Sequence, residues 1–543
     1  MINKQEYSIA YLSMEIAIEN NIKTYAGGLG ILAGDILKSA AEKKFPMVGV
    51  TLLSRYGYFK QKISYSGDQI ELIDRDYDFS LLKKLDFEVR VNIGNEEVKV
   101  GVWQYTIISP DNFEIPVYFL DTNIPGNKTA YKKLTAKLYG GDAEFRLCQE
   151  IILGRGGVKM LQALGYNYIK KYHLNEGHAS FAPIELFSKS SAVSDDDKIR
   201  EVKKQCVFTT HTPIKTIYDE FSISMLLKNQ SDFPAHLPGL IKDTKLNTLE
   251  LGIYFSGFVN GVSKMHRDLL INIFPNNDIK AVTNGVNSVF WTKEEFKNLY
   301  DKHLPSWRGN NSLLKRAEEI PSTEVWAAHQ KAKRQLLDYL KINKKINWQE
   351  NIFTIGFARR FTNYKQPLLL FFDLERLLEI LEIGGGAQII LAGKAHLRDT
   401  SGQEAIKKIY QIKKNYPKLN VVFLENYNLD LAQLIVAGVD LWLNTPLPPQ
   451  EACGTSGMKA AHNGVPQLST LDGWWPEGYK KNKTGWAFSG ADELYEILKK
   501  EIMPLYYQSP AKWQEIMKNV ISLNASQFNT ERVLNQYIQE AYK

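Results

Sequence analysis

The second half of the chain alternates short apolar runs with helical stretches, and this alternation restricts the fold more than any other feature. Residues 352–357, 387–391, 421–424, 439–443 and 465–470 are the apolar runs. Between them, 366–381, 403–414, 429–437 and 454–462 read as helices. Short buried strands separated by helices predict a parallel sheet wound with helices on both faces. The first half repeats the pattern less cleanly, with strands predicted at 47–52, 103–108, 117–120 and 206–210 and helices at 29–43 and 142–164. A chain of 543 residues exceeds one ordinary core. Two lobes are therefore predicted, 1–280 and 281–510, with a hinge at 274–278 and a helical segment at 511–543. Two doubly wound lobes imply a cleft, with ligands beyond the carboxyl ends of the strands.

Composition narrows the function. Lys plus Arg is 67 and Asp plus Glu is 60, a net +7 that is mild for this length and gives no sign of nucleic acid. The basic stretch at Lys480, Lys481 and Lys483 reads as solvated surface. Cys148, Cys206 and Cys453 are odd in number and far apart, so neither a disulfide framework nor a cysteine metal site is expected. The first residues hold no apolar signal core, and no apolar stretch approaches a membrane span. The expected protein is soluble, reduced and cytoplasmic, with no membrane partner and no metal.

Several segments sit at predicted strand ends and carry unusual residues. Gly27-Gly28-Leu29-Gly30 opens a helix. It is either a tight turn or a place where the backbone approaches an anion. Asn175-Glu176-Gly177-His178 and Thr210-His211-Thr212-Pro213 are polar strand-to-helix turns, each able to hold a ligand or merely to cap itself. Arg359-Arg360-Phe361-Thr362-Asn363-Tyr364-Lys365 places three cations after a strand, which suits a phosphate or a solvated basic turn. In Glu451-Ala452-Cys453-Gly454-Thr455-Ser456-Gly457-Met458-Lys459, small residues open a helix and set Lys459 near its start. A cation there opposes the helix dipole. Lys459 is either a lysine that points to solvent or an amine tuned by burial for Schiff-base chemistry with an aldehyde.

Together, in order, these segments resemble the α-glucan (glycogen, starch, maltodextrin) phosphorylase family, in its short bacterial and archaeal branch. The resemblance runs from Ala10-Tyr11-Leu12-Ser13-Met14-Glu15 to Gly473-Trp474-Trp475 and includes Val259-Asn260-Gly261, Thr283-Asn284-Gly285, Gly393-Lys394-Ala395 and Glu425-Asn426-Tyr427. It implies two Rossmann-like lobes facing across a cleft (GT-B type glycosyltransferase architecture), with the C-terminal helices returning to the first lobe. It implies reversible, retaining phosphorolysis of an α-glucan or maltodextrin by inorganic phosphate to glucose 1-phosphate. It also implies pyridoxal 5′-phosphate carried on Lys459, with Thr455, Arg359, Tyr427 and Lys394 beside it. By the same resemblance Arg360, Lys365 and the N–H of Gly28 bind substrate phosphate. His178 and Asn260 meet the reacting glucose at its 6-hydroxyl, and Glu451, Cys453 and Gly454 hold its 3- and 4-hydroxyls. A homodimer is common in the family. The chain starts close to the catalytic lobe, so control by phosphorylation or nucleotides is not expected.

Three positions depart from the branch pattern. Pro213-Ile214-Lys215-Thr216-Ile217-Tyr218-Asp219 stands where many members read Pro-Ala-Gly-His-Asp at the end of the turn, Asn287 where many have His, and Gln366-Pro367 where Arg is common. These bear on acceptor preference. Two rival readings are a nucleotide-sugar glycosyltransferase of the glycogen-synthase type and an inactive glucan-binding relative. The first typically has a second glutamate eight positions after the first, where this chain has Lys459. Lysine cannot accept the hydrogen bonds that such a carboxylate takes.

Overall fold

The computed structural model describes residues 4–74, 77–213 and 218–543. They form two compact units: Met1–Phe59, Ile73–Thr283 and Val533–Lys543 make unit 1, and Lys60–Leu72 with Asn284–Arg532 make unit 2.

Unit 1 is built on a nine-stranded sheet. Its strands are β1 (Ile9–Ser13), β2 (Met47–Leu52), β3 (Lys83–Ile93), β4 (Glu96–Ile108), β5 (Glu114–Asp121), β6 (Lys171–Asn175), β7 (Cys206–Thr209), β8 (Phe258–Gly261) and β9 (Ile279–Ala281). The order is β9-β8-β7-β6-β1-β2-β5-β4-β3. All neighbours are parallel except the β3–β4–β5 meander at one edge.

Unit 2 is built on a six-stranded, wholly parallel sheet. Its strands are β10 (Phe353–Ala358), β11 (Ala387–Ala392), β12 (Val421–Leu424), β13 (Leu441–Asn444), β14 (Gln467–Ser469) and β15 (Gly485–Ala487), in the order β12-β11-β10-β13-β14-β15. β10 and β11 are buried along their whole length, which is why they read as unbroken apolar runs. Each unit is therefore a doubly wound α/β fold. Each reverses its strand order beside its first strand, at β1/β6 and at β10/β13, and such reversals are where open parallel sheets bind ligands.

The division differs from the expected 1–280, 281–510 and 511–543 in three places. The 274–278 segment lies inside unit 1, as the turn between helix Lys264–Ile273 and β9. Residues 60–72 belong to unit 2. Of the C-terminal segment, Trp513, Met517 and Val520 are buried in the unit 2 core, and only Val533–Lys543 joins unit 1. There Tyr537 and Tyr542 pair through their hydroxyls with Thr209 Oγ1 (3.0 Å) and His173 Nδ1 (2.6 Å). The helix expected at 366–381 is reduced to Leu374–Leu381, capped by Asp373. Gln366 takes a left-handed φ of 44° and Pro367 follows, which together break the upstream part.

Candidate active site

In unit 2 the loop leaving β10 is tied down at both ends. Phe361 N–H donates to Lys394 O at 3.0 Å, beside the end of β11. The turn Asn363–Lys365 is pinned to the loop after β13, where Thr445 Oγ1 donates to Lys365 O (2.7 Å) and Leu447 N–H donates to Tyr364 O (2.7 Å). This seats Lys365 against Glu451. The Glu451 Oε2 atom accepts from Arg359 Nη2 at 2.5 Å and from Lys365 Nζ, and all three side chains are buried. Asp472 holds the Glu451 main chain, accepting from its N–H at 2.9 Å.

Two buried cations thus share one carboxylate. Burial and then Arg359 push Lys365 down to about 7, against the pull of Glu451. Burial alone would raise Glu451, but Lys365 and Arg359 outweigh it and hold its carboxyl below the usual range. Burial pushes Asp472 up to about 6. Arg359 Nε and Nη1 are buried without a hydrogen-bond partner among the described residues. Buried donors left open are costly unless an acceptor meets them, and a guanidinium fork matches a phosphate. Arg360, next in the chain, is exposed.

The loop after Glu451 leads to Lys459. Gly454 has a φ of 76°, a conformation that favours glycine. Cys453 is buried, and its carbonyl accepts from Trp474 N–H at 3.0 Å. Thr455 precedes a helix of only six residues, Ser456–Ala461, and Lys459 lies in its last turn. In so short a helix Lys459 is about as far from the start as from the end, so the helix dipole neither favours nor opposes its charge. Lys459 is buried with Nζ 4.0 Å from the centroid of the Trp291 ring, so an aromatic face receives the amine. Gly457 is small for packing, since a Cβ there would lie 1.5 Å from Gln467 Oε1. Lys394 and Tyr427 are partly buried just beyond the neighbouring strands β11 and β12.

In unit 1, Glu15 follows β1 and gathers the glycine loop. Its Oε2 accepts from Ala26 N–H (2.7 Å) and Gly27 N–H (3.1 Å), and its Oε1 accepts from Tyr139. Gly28 opens the helix Gly28–Glu42. Gly27 has an ordinary extended φ of −161°, and a Cβ on either Gly27 or Gly28 would meet nothing within 4 Å. Neither strain nor crowding calls for glycine at these two positions. Gly30 differs, because its Cβ would come within 2.7 Å of Glu15 Cβ.

His178 follows β6 in the turn Gly177–Ala179. Its Nε2 accepts from Arg146 Nη2 at 3.3 Å, and burial together with Arg146 pushes its pKa down to about 3, so it is neutral. Glu150, His178 and Asp219 lie close enough to hold a metal ion. Arg146 contacts all three, with Nε 3.1 Å from Asp219 and 3.3 Å from Glu150, so a guanidinium already supplies the cation there. Asn260 is fully buried at the end of β8. Its Oδ1 accepts from Thr209 (2.7 Å), and its Nδ2 donates to Gly261 O (3.1 Å) and Tyr537 (3.3 Å). That internal network gives Asn260 a supporting place rather than an open one.

The departures have local explanations. Asn287 is the N-cap of Ser288–Trp291, accepting from Phe290 N–H at 2.7 Å. Asp219 is the Arg146 partner just described, while Ile214, Lys215, Thr216 and Ile217 lie outside the described residues. Sequence reasoning missed Glu15, Arg146 and Asp219 as site neighbours, and left His211 open. His211 Nε2 donates to Asn175 Oδ1 (2.7 Å) and its N–H to Glu176 Oε2 (2.6 Å), which locks the β6 and β7 turns together. Position beyond a strand end was the available signal for Glu15 and His211; Arg146, inside the helix Ala143–Ile151, and Asp219, just before the strand Glu220–Ser222, carried none.

Comparison with known proteins places the chain in a family. The family model for carbohydrate phosphorylase matches residues 239–543, and that for the starch synthase catalytic domain matches residues 8–279. The chain is 35% identical to a maltodextrin phosphorylase of Thermococcus litoralis, over 99% of this chain and 71% of the relative. It is 35% identical to a glycogen phosphorylase of Aquifex aeolicus, over 98% of this chain and 86% of the relative. An uncharacterized protein of Methanocaldococcus jannaschii is 31% identical over 98% of this chain and 99% of its own length. The half matched by the phosphorylase model carries Lys459, the position at which the rival pattern has its second glutamate. The chain belongs to the carbohydrate phosphorylase family.

Proposed function

We propose that this chain is an α-glucan phosphorylase. It transfers the terminal α-1,4-linked glucose of glycogen or a maltodextrin to inorganic phosphate, reversibly and with retention, giving α-D-glucose 1-phosphate. The observation that carries the reading is the buried Arg359–Glu451–Lys365 cluster, a short loop away from the buried amine of Lys459, in a member of this family. In the reaction, phosphate gives its proton to the glycosidic oxygen, the C1–O bond breaks, and a phosphate oxygen bonds to C1 on the same face. Arg360 and Lys365, with the N–H of Gly28, hold that phosphate. Neutral His178 orients the reacting glucose with Asn260 in support, and Glu451 with the Cys453 and Gly454 main chain holds the 3- and 4-hydroxyls.

The residues also fit pyridoxal 5′-phosphate. Lys459 would hold it through Nζ, Arg359 and Thr455 would meet its phosphate, and Lys394 and Tyr427 would flank it. The two buried, open donors of Arg359 support this assignment. When bound, the group supplies a second phosphate that exchanges a proton with the first. No helix among the described residues is long and apolar enough to cross a membrane, and all three cysteines are buried and free. A cytoplasmic setting belongs to the same reading.

Incubation with maltoheptaose and phosphate, followed by assay for glucose 1-phosphate, tests the function. No product from the cofactor-loaded protein overturns it. Chain elongation from a nucleotide sugar in a parallel reaction favours the transferase reading that the starch synthase match keeps in play.

Two further results are expected. Gly28→Ala leaves the unfolding midpoint unchanged, because its Cβ meets nothing within 4 Å, yet raises the phosphate KM about tenfold by obstructing approach to the backbone. A loss of stability without a change in KM sinks the idea. The second concerns pH. Lys365 is depressed to about 7, so its charge is present below that pH and is lost as pH rises through it. Phosphate affinity is therefore expected to fall by up to about tenfold per pH unit above 7, as for any binding linked to one proton. In Lys365→Arg, which stays protonated, the decline should flatten.

A further inference from the structure

A hairpin far upstream in sequence, Lys60–Ile63 paired with Gln69–Leu72, belongs to unit 2. Two of its glutamines reach the loops that carry Lys394 and Tyr427. Gln61 is 3% exposed. Its Nε2 donates to Gly393 O (2.9 Å) and to Gln69 Oε1 (2.9 Å), and its Oε1 accepts from Asn426 N–H (2.9 Å). Its main-chain N–H donates to Asn426 Oδ1 at 3.3 Å. Gln69 takes both main-chain groups of Ala395: Oε1 accepts from the N–H (3.1 Å) and Nε2 donates to the carbonyl (3.1 Å).

The two loops leave adjacent strands, β11 and β12, just where the ladder hydrogen bonds stop. Beyond that point the main-chain groups need other partners. A glutamine amide offers one donor group and one acceptor at the spacing of a peptide unit. Gln61 and Gln69 therefore act as inserted peptide units, one bridging Gly393 to Asn426 and the other clamping Ala395. Lys394 is held on both sides, and Tyr427 follows the held Asn426. Apolar burial explains only part of the docking: Ile63 packs against the unit 2 core, whereas Ile70 and Leu72 of the hairpin are exposed.

We propose that Gln61 and Gln69 are positioning residues, which set the separation and orientation of the Lys394 and Tyr427 loops. This rests on the reading that those loops flank pyridoxal 5′-phosphate. The chemistry requires amides. A glutamate at 61 only accepts, and would turn a carboxylate toward the oxygens of Gly393 and Gln69.

The test uses the full chain as wild type, Gln61→Leu, Gln61→Glu and Gln69→Leu. Hydrogen–deuterium exchange is followed in the 393–395 and 425–427 loops, and pyridoxal 5′-phosphate is titrated into apo-protein by absorbance. Both Gln61 variants are expected to exchange about tenfold faster in the two loops and to bind the cofactor about tenfold more weakly, the scale of one lost buried hydrogen-bond set. Gln69→Leu is expected to loosen 393–395 alone, and it serves if the Gln61 variants do not fold. Wild-type loop exchange, exchange raised uniformly over the chain, or wild-type cofactor affinity in a folded variant overturns the proposal. If wild-type protein takes no cofactor, the functional reading falls, and loop exchange by itself decides the positioning claim.

Discussion

Lys459→Met is expected to abolish phosphorolysis, by at least ~10⁴-fold, the scale of removing a group on which a whole catalytic unit depends. Methionine keeps most of the side-chain volume and packs well on an aromatic face, so the contact with Trp291 survives in apolar form. The fold is therefore expected to persist, with an unfolding midpoint close to wild type. Two measurements decide the case. Turnover of maltoheptaose with phosphate reports the loss of activity. Borohydride reduction followed by mass spectrometry should find a pyridoxyl adduct on the Lys459 peptide of wild type and none in the variant. An adduct on another lysine, or turnover near wild type, ends the assignment of Lys459.

The second large effect is on stability. Asp440, the residue before β13, is fully buried and accepts four hydrogen bonds. They come from Lys333 Nζ (2.6 Å), Thr354 N–H (2.7 Å), His329 Nε2 (2.9 Å) and the Tyr506 hydroxyl (3.3 Å). Lys333 is equally buried, and Asp440 is its ion-pair partner. Burial pulls the Lys333 pKa down and Asp440 pulls it back up. Asp440→Asn leaves an ammonium in the interior without its counter-charge, and removing one member of such a pair costs about 3–5 kcal/mol. Chemical denaturation should show that loss. Lys333→Met together with Asp440→Asn should recover part of it, since the stranded charge is then gone. A single variant within about 1 kcal/mol of wild type contradicts the account.

Much of unit 2 was legible because its central strands are buried on both faces and so read as plain apolar runs, as in Ala387–Ala392. Unit 1 was less so. Its β3 is exposed or half-buried over its first eight residues, β4 opens on the charges Glu96, Glu97 and Lys99, and β8 and β9 are only four and three residues long. The site was legible as a set of residue types at strand ends, but not as contacts. Lys365 meets Glu451 across 86 residues because Thr445 and Leu447 hold the intervening turn, and no periodicity encodes that. The destination of the 60–72 hairpin was hidden for the same reason. It depends on two amides finding particular backbone groups, on Ile63 N–H meeting Glu425 and on one packed isoleucine, and not on a periodic pattern of apolar residues.

The threading of the chain limits how such proteins can exchange parts. Unit 2 is assembled from two separate stretches, 60–72 and 284–532, and unit 1 from three. A single crossover near Thr283 between two related genes would bring in a foreign body for the second stretch while keeping the native 60–72 hairpin. Its glutamines would then face loops that evolved beside a different hairpin. Viable recombinants must carry both stretches together, so the inheritable module is discontinuous, and the fold itself acts as a barrier to simple shuffling of lobes.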